Sequence, residues 1–141
     1  MLISNTFDAA SLFDEFRPEP PATAGQLAAL ATQLPQPVPE SYQQFLLTSN
    51  GGWGRSGARE FGFFGAEDLV YYWQDYEFGE YMPGALPFAL NGGGTFYVFD
   101  LRNAPLAVEP AVFTCGSGAN TWDDATWLAF SFAAACQGRE R

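Results

Sequence analysis

Two short apolar runs, Pro87–Leu90 and Thr95–Leu101, flank Asn91-Gly92-Gly93-Gly94, and this arrangement narrows the fold more than any other stretch of the chain. Glycines supply the positive φ that a tight reversal requires, so the two runs are expected to be strands joined through that turn. In the second run Phe96 and Val98 fall on one face and Tyr97 and Phe99 on the other. A strand apolar on both faces belongs in the middle of a sheet. With 141 residues, 48% of them apolar and 17% aromatic, the chain can bury one core around such a strand and has the size of one domain.

Helices are expected on both sides of this strand cluster in the chain. Phe7 to Phe16 places Leu12, Phe13 and Phe16 at helical spacing before Pro18, Pro20 and Pro21, which reads as a short helix or an ordered arm. Thr23-Ala24-Gly25-Gln26 has capping-box spacing, with Leu27, Leu30 and Leu34 behind it. Pro39 suits the first position of a further helix with Tyr42, Phe45 and Leu46 as its stripe, closed by Asn50-Gly51-Gly52. Glu60–Phe64 reads as a strand and Ala66–Tyr76 as a helix with Leu69, Tyr72, Trp73 and Tyr76 on one side. Ala111–Cys115 reads as another strand. A final helix is expected to start between Asp123 and Thr126 and to carry Trp127, Phe130 and Ala134 to an end near Gly138. The expected fold is therefore α+β: a single domain with a mostly antiparallel sheet of about four to six strands and helices packed on it. Residues 1–22 are expected as an N-terminal helix or arm packing on the domain, and 23–141 as the domain proper. Phe45, Leu46, Phe88, Phe96, Val98, Trp127 and Phe132 are expected in one core, with the helix from Pro39 on the sheet.

Charge removes several function classes. Sixteen carboxylates face six arginines, with no lysine and no histidine, for a net charge of -10. Binding to nucleic acid or to anionic membranes is not expected, because affinity there comes from Lys and Arg displacing counterions. Triads and pairs that need histidine, Schiff-base lysines, phosphate loops and zinc-binding His pairs are all absent. Cys115 and Cys136 are too few for a disulfide framework and too far apart for a metal pair, so they are expected as buried free thiols. The first sixteen residues lack a basic segment and carry Asp8, Asp14 and Glu15, unlike a signal peptide. Trp127–Cys136 reaches about half of the roughly 20 residues of a membrane span. The expectation is a cytoplasmic protein without metal or cofactor.

Between Arg59 and Arg102 the chain holds Glu60, Glu67, Asp68, Asp75, Glu77, Glu80 and Asp100 and no basic residue. Aromatic residues interleave with them from Tyr71 to Tyr81, and at about 100° per residue Glu67, Asp68, Tyr71 and Asp75 share the side opposite the apolar stripe. This is either a solvated helix face or a contact surface, in which carboxylates steer a basic partner and aromatics supply area with few rotors to freeze. Glu67, Asp68, Tyr71, Asp75, Glu77 and Glu80 are the candidate partner-binding residues. Gly92-Gly93-Gly94 lacks phosphate-loop spacing and reads as a turn. Asp123-Asp124 fits helix capping better than calcium binding. Trp53, in a glycine-rich loop, fits the core better than a ligand-stacking role.

Three segments resemble the SUKH superfamily in its Smi/Knr-like branch. They are Leu34-Pro35 with Val38-Pro39-Glu40-Ser41-Tyr42-Gln43-Gln44-Phe45-Leu46-Leu47 and Asn50-Gly51-Gly52; Leu86-Pro87-Phe88-Ala89 with Gly92-Gly93-Gly94 and Tyr97-Val98-Phe99-Asp100; and Leu128-Ala129-Phe130-Ser131-Phe132 with Gly138. Thr95 and Phe130 depart from that pattern, as does the long spacer Pro35–Pro39. The resemblance implies an α+β binding scaffold without catalytic residues. In bacteria such proteins are immunity proteins that neutralise a cognate toxin domain by binding it, and an acidic inhibitor suits the basic face of a nuclease. In fungi the domain belongs to a cell-wall synthesis regulator, so a regulatory or scaffold module is the alternative. A carboxylate-based hydrolase or glycan binder is a third. The chain itself is expected to be a monomer or a weak homodimer.

Overall fold

In the computed structural model, residues 11–103 and 109–138 are described. Seven strands form one antiparallel sheet whose spatial order follows the chain: β1 (Glu15–Arg17), β2 (Gly52–Ser56), β3 (Arg59–Phe63), β4 (Ala85–Leu90), β5 (Thr95–Asp100), β6 (Val112–Gly116) and β7 (Thr126–Ala129). The helices are α1 (Ala24–Gln33), α2 (Glu40–Thr48), α3 (Ala66–Asp75), α4 (Phe78–Tyr81) and α5 (Phe132–Gln137). The α+β class stands, with a larger sheet than expected. The additional strands are β1, β2 and β7.

The turn between β4 and β5 closes as its residues dictate. Asn91 Oδ1 accepts from the Gly93 N–H at 2.7 Å and the Thr95 N–H at 3.1 Å, while Gly92 and Gly94 take φ of 85° and 91°. β5 lies between β4 and β6, and Phe96, Tyr97, Val98 and Phe99 are all buried. Helices cover both of its faces. Phe96 meets Tyr72 of α3, Tyr76 at the end of that helix and Phe78 of α4, whereas Phe99 meets Tyr42 of α2 and Phe132 of α5. Edge-on and tilted ring packing of this kind adds to the stabilisation from burial.

The capping box of α1 is formed, with Gln26 N–H bonded to Thr23 Oγ1 and Thr23 N–H to Gln26 Oε1. Pro39 is the cap of α2 rather than its first residue. Of the opening stretch Phe7–Phe16, residues 7–10 lie outside the described residues; Leu12 and Phe13 are buried, and Glu15–Arg17 is a strand on β2, not part of a helix. Phe13 reaches the sheet because Gly54 has no side chain: a Cβ there would sit 3.0 Å from the Phe13 ring.

The final helix is a correction. Thr126–Ala129 is strand β7, paired with β6 through Thr114↔Thr126 and Phe113↔Trp127, and α5 starts only at Phe132, capped by Ser131 Oγ accepting the Ala134 N–H. Trp127, expected in the core, is 47% exposed for the same reason. A helix would carry its indole round to the face of Ala134, but the end strand of the sheet leaves it at the rim, against the Phe130 ring at 5.0 Å. The other six expected core residues are fully buried. Around Asp123-Asp124 the chain makes a 3-10 turn, Trp122–Asp124, capped by Thr121. Among the described residues no helix is long and apolar enough to cross a membrane, and no group of three or more metal-ligating side chains comes together.

Candidate partner-binding surface

α3 is amphipathic because its apolar residues recur at helical spacing: Leu69 and Val70 are buried, and Tyr72, Trp73 and Tyr76 pack half-buried against the core. Its start is fixed from two directions. Asn50, from the Asn-Gly-Gly segment after α2, accepts the Ala66 N–H through Oδ1 at 2.8 Å, and Asp68 Oδ2 accepts the Gly65 N–H at 3.2 Å. Asp68 is thus a capping residue as well as a surface charge. At the far end Glu77 adopts φ 54°, ψ 44°, the left-handed conformation, and is the one non-glycine with positive φ among the described residues. That joint turns the chain into α4, where Gly79 lets the Trp73 ring approach; a Cβ there would lie 3.0 Å from it.

All six candidate residues, Glu67, Asp68, Tyr71, Asp75, Glu77 and Glu80, are exposed, and they lie along this one continuous α3–α4 ridge. Tyr71 and Tyr81 add aromatic area, 56% and 51% exposed. Among the described residues no cation pairs with these carboxylates; the ion pairs of Arg17, Arg55 and Arg102 go to Asp14, Glu15 and Asp100 instead. Behind the ridge Tyr72 stacks on Phe64 at 4.2 Å, and burial followed by the Asp68 charge pushes its phenol above the ordinary value.

A feature not foreseen from the sequence adjoins Asp68. The residues around Trp53 form strand β2, not a loop, and Trp53 and Glu60 share the outer face of the β2–β3 hairpin. Trp53 lies opposite Gly62, so its indole has room to lean along the pair, and its Nε1–H donates to Glu60 Oε2 at 2.7 Å. The indole is half-buried rather than in the core. A cleft of about 330 Å³ opens here, walled by Trp53, Phe64, Tyr72, Glu60 and Asp68. A second of about 530 Å³ adjoins it across Trp53 and Asp68, and Arg17 lies in that one, 5.1 Å from the Trp53 ring. The period-two alternation of Trp53, Arg55, Glu60 and Gly62 about Gly57-Ala58 was the available signal.

Both cysteines are free and buried. Burial pushes the Cys115 thiol up to about 11 and holds that of Cys136 well above its ordinary value, so neither is a ready nucleophile.

Comparison with curated proteins finds no match. The family model described as SMI1 / KNR4 family (SUKH-1) matches residues 21–135. That span runs from just after β1 to within α5 and takes in α1 to α4, strands β2 to β7 and the whole acidic ridge. With the matched span covering most of the chain, this protein belongs to the SMI1/KNR4 (SUKH-1) family.

Proposed function

We propose that this chain is an immunity protein that neutralises a cognate toxin domain, of nuclease type and with a basic face, by binding it through the α3–α4 ridge. The observation that carries the proposal is the exposure of six acidic and aromatic side chains on one ridge whose carboxylates have no cationic partner among the described residues. Such a surface steers a basic partner at long range and offers Tyr71 and Tyr81 as rigid contact area. A binding rather than catalytic role is supported by the absence of histidine and lysine and by the burial of both thiols. The cytoplasm, where such a toxin would be met, is the proposed location.

The test is co-expression with the protein encoded beside it, followed by binding kinetics at several salt concentrations. Protection from toxicity and a 1:1 complex are expected. Asp75→Asn and Glu80→Gln should lower the on-rate and flatten its salt dependence, since exposed charges act within about 8 Å at physiological ionic strength. Tyr71→Ala should act on the off-rate. A neighbour that is not toxic, or a toxin bound with unchanged kinetics by these variants, overturns the assignment and favours a regulatory module instead.

A further inference from the structure

We propose that the cleft between Trp53 and Tyr72 is a receptor for one arginine side chain of the partner, anchoring a contact that the ridge steers; the partner's part in this rests on the function proposed above. The walls match a guanidinium in two respects. Trp53 and Tyr72 present aromatic surface, with Phe64 buried behind Tyr72, and on such surface a planar delocalised cation stacks better than a compact ammonium. Glu60 and Asp68 supply carboxylates on the same cleft. Glu60 Oε2 accepts from the Trp53 indole N–H and Asp68 Oδ2 from the Gly65 amide, so each carboxylate is held by one oxygen while Glu60 Oε1 and Asp68 Oδ1 take no part in those bonds.

The alternative occupant by position is an anion at the start of α3, and the structure speaks against it. The Ala66 amide is bonded to Asn50 and the Gly65 amide to Asp68, so that helix end is already satisfied by acceptors. Among the described residues no arginine lines this cleft. Arg17 lies in the adjoining cleft, with its guanidinium 5.1 Å from the Trp53 ring and bonded to Glu15. The same indole is therefore already paired with a guanidinium within the molecule. In the neighbouring cleft the carboxylates of Glu60 and Asp68 are there to receive another.

The probe is acetyl-arginine-amide, titrated against the full chain while the Trp53 indole N–H is followed by NMR, with acetyl-citrulline-amide as the neutral isostere and acetyl-lysine-amide as the compact cation. A saturable shift of the Trp53 signal is expected with the arginine probe, weaker with lysine and absent with citrulline. Glu60→Gln should weaken binding roughly five- to ten-fold, the loss of one charge-assisted bond, with an unchanged thermal midpoint. Trp53→Phe keeps an aromatic wall and removes the indole bond, and should weaken binding less, read in that variant from the Gly62 backbone amide across the strand pair. An arginine response no larger than that of citrulline, or one indifferent to Glu60→Gln, overturns the receptor. The two proposals separate cleanly. Toxin binding lost in ridge variants with no arginine response leaves the function standing and removes the cleft, whereas an arginine response without any toxin partner does the reverse.

Discussion

The phenol of Tyr42 donates a 2.6 Å hydrogen bond to the backbone carbonyl of Phe64, joining α2 to the chain just beyond β3 from a fully buried position. The Phe88 carbonyl lies 3.2 Å from the same oxygen but already accepts the Phe64 N–H at 2.8 Å, so the Phe64 carbonyl is the acceptor that depends on Tyr42. Tyr42→Phe should therefore cost about 1 to 3 kcal/mol, the penalty for a buried acceptor left without its donor. Urea unfolding checks this; an unchanged midpoint would show that the carbonyl finds another donor.

Phe96 and Trp127 should separate in the same measurement. Phe96 is fully buried with helices over it, and its replacement by Ala should cost about 3 to 5 kcal/mol. Trp127 sits at the rim on β7, and Trp127→Ala should stay within about 1 kcal/mol. Equal losses would contradict the strand assignment for Thr126–Ala129.

At alkaline pH the buried groups should weaken the fold. Burial raises the folded-state values of Cys115, Cys136 and Tyr42, so the folded chain holds protons that the unfolded chain has released. Their contribution is complete below about pH 8.5, the ordinary thiol value, and is lost as pH rises toward their folded values. Urea midpoints should fall above about pH 9, and the first part of that fall should diminish in the Cys115→Ala, Cys136→Ala double variant. Native protein should also react slowly with a thiol reagent at pH 8 and quickly once unfolded.

Asp100 gives the opposite sign. Burial alone would raise its carboxyl, but the side-chain and backbone bonds and the charge of Arg102 outweigh it and hold the group below the usual range. Its contribution is present above about pH 4 and is lost as pH falls through the folded value. Asp100→Asn should be less stable than the parent at pH 7 and converge with it toward pH 2; a constant difference would mean that Arg102 acts by packing on Trp122, 3.6 Å from its ring, rather than by charge.

Glu77 permits a clean test of the ridge. Glycine there relieves a left-handed strain of about 1 to 2 kcal/mol and offsets its own entropic cost, so Glu77→Gly should be as stable as the parent, whereas Glu77→Val should be less stable. With the fold kept, a lower on-rate of Glu77→Gly toward the cognate toxin, matched by Glu77→Gln, reports the carboxylate alone. An unchanged rate in both places Glu77 outside the contact.

What the sequence determined by itself lies where local chemistry suffices. Thr23 and Gln26 can satisfy each other's amides within one turn, Asn91 can close its own reversal, and Phe96 to Phe99 are apolar on both faces whatever surrounds them. The acidic side of α3 was legible for the same reason, since a helix sets its own angular spacing. The tertiary structure decided the rest. Thr126–Ala129 is too short for periodicity to tell helix from strand, and β6 settles it by offering hydrogen bonds across the sheet. β1 is a strand because β2 is beside it, and among the glycines of β2 only a short alternation about Gly57-Ala58 marks the hairpin. Trp53 and Glu60 become partners through the β2–β3 register, and Asp68 joins their cleft through the packing of α3. Proximity of that kind depends on which strands pair and how helices cover them, and no local spacing encodes it.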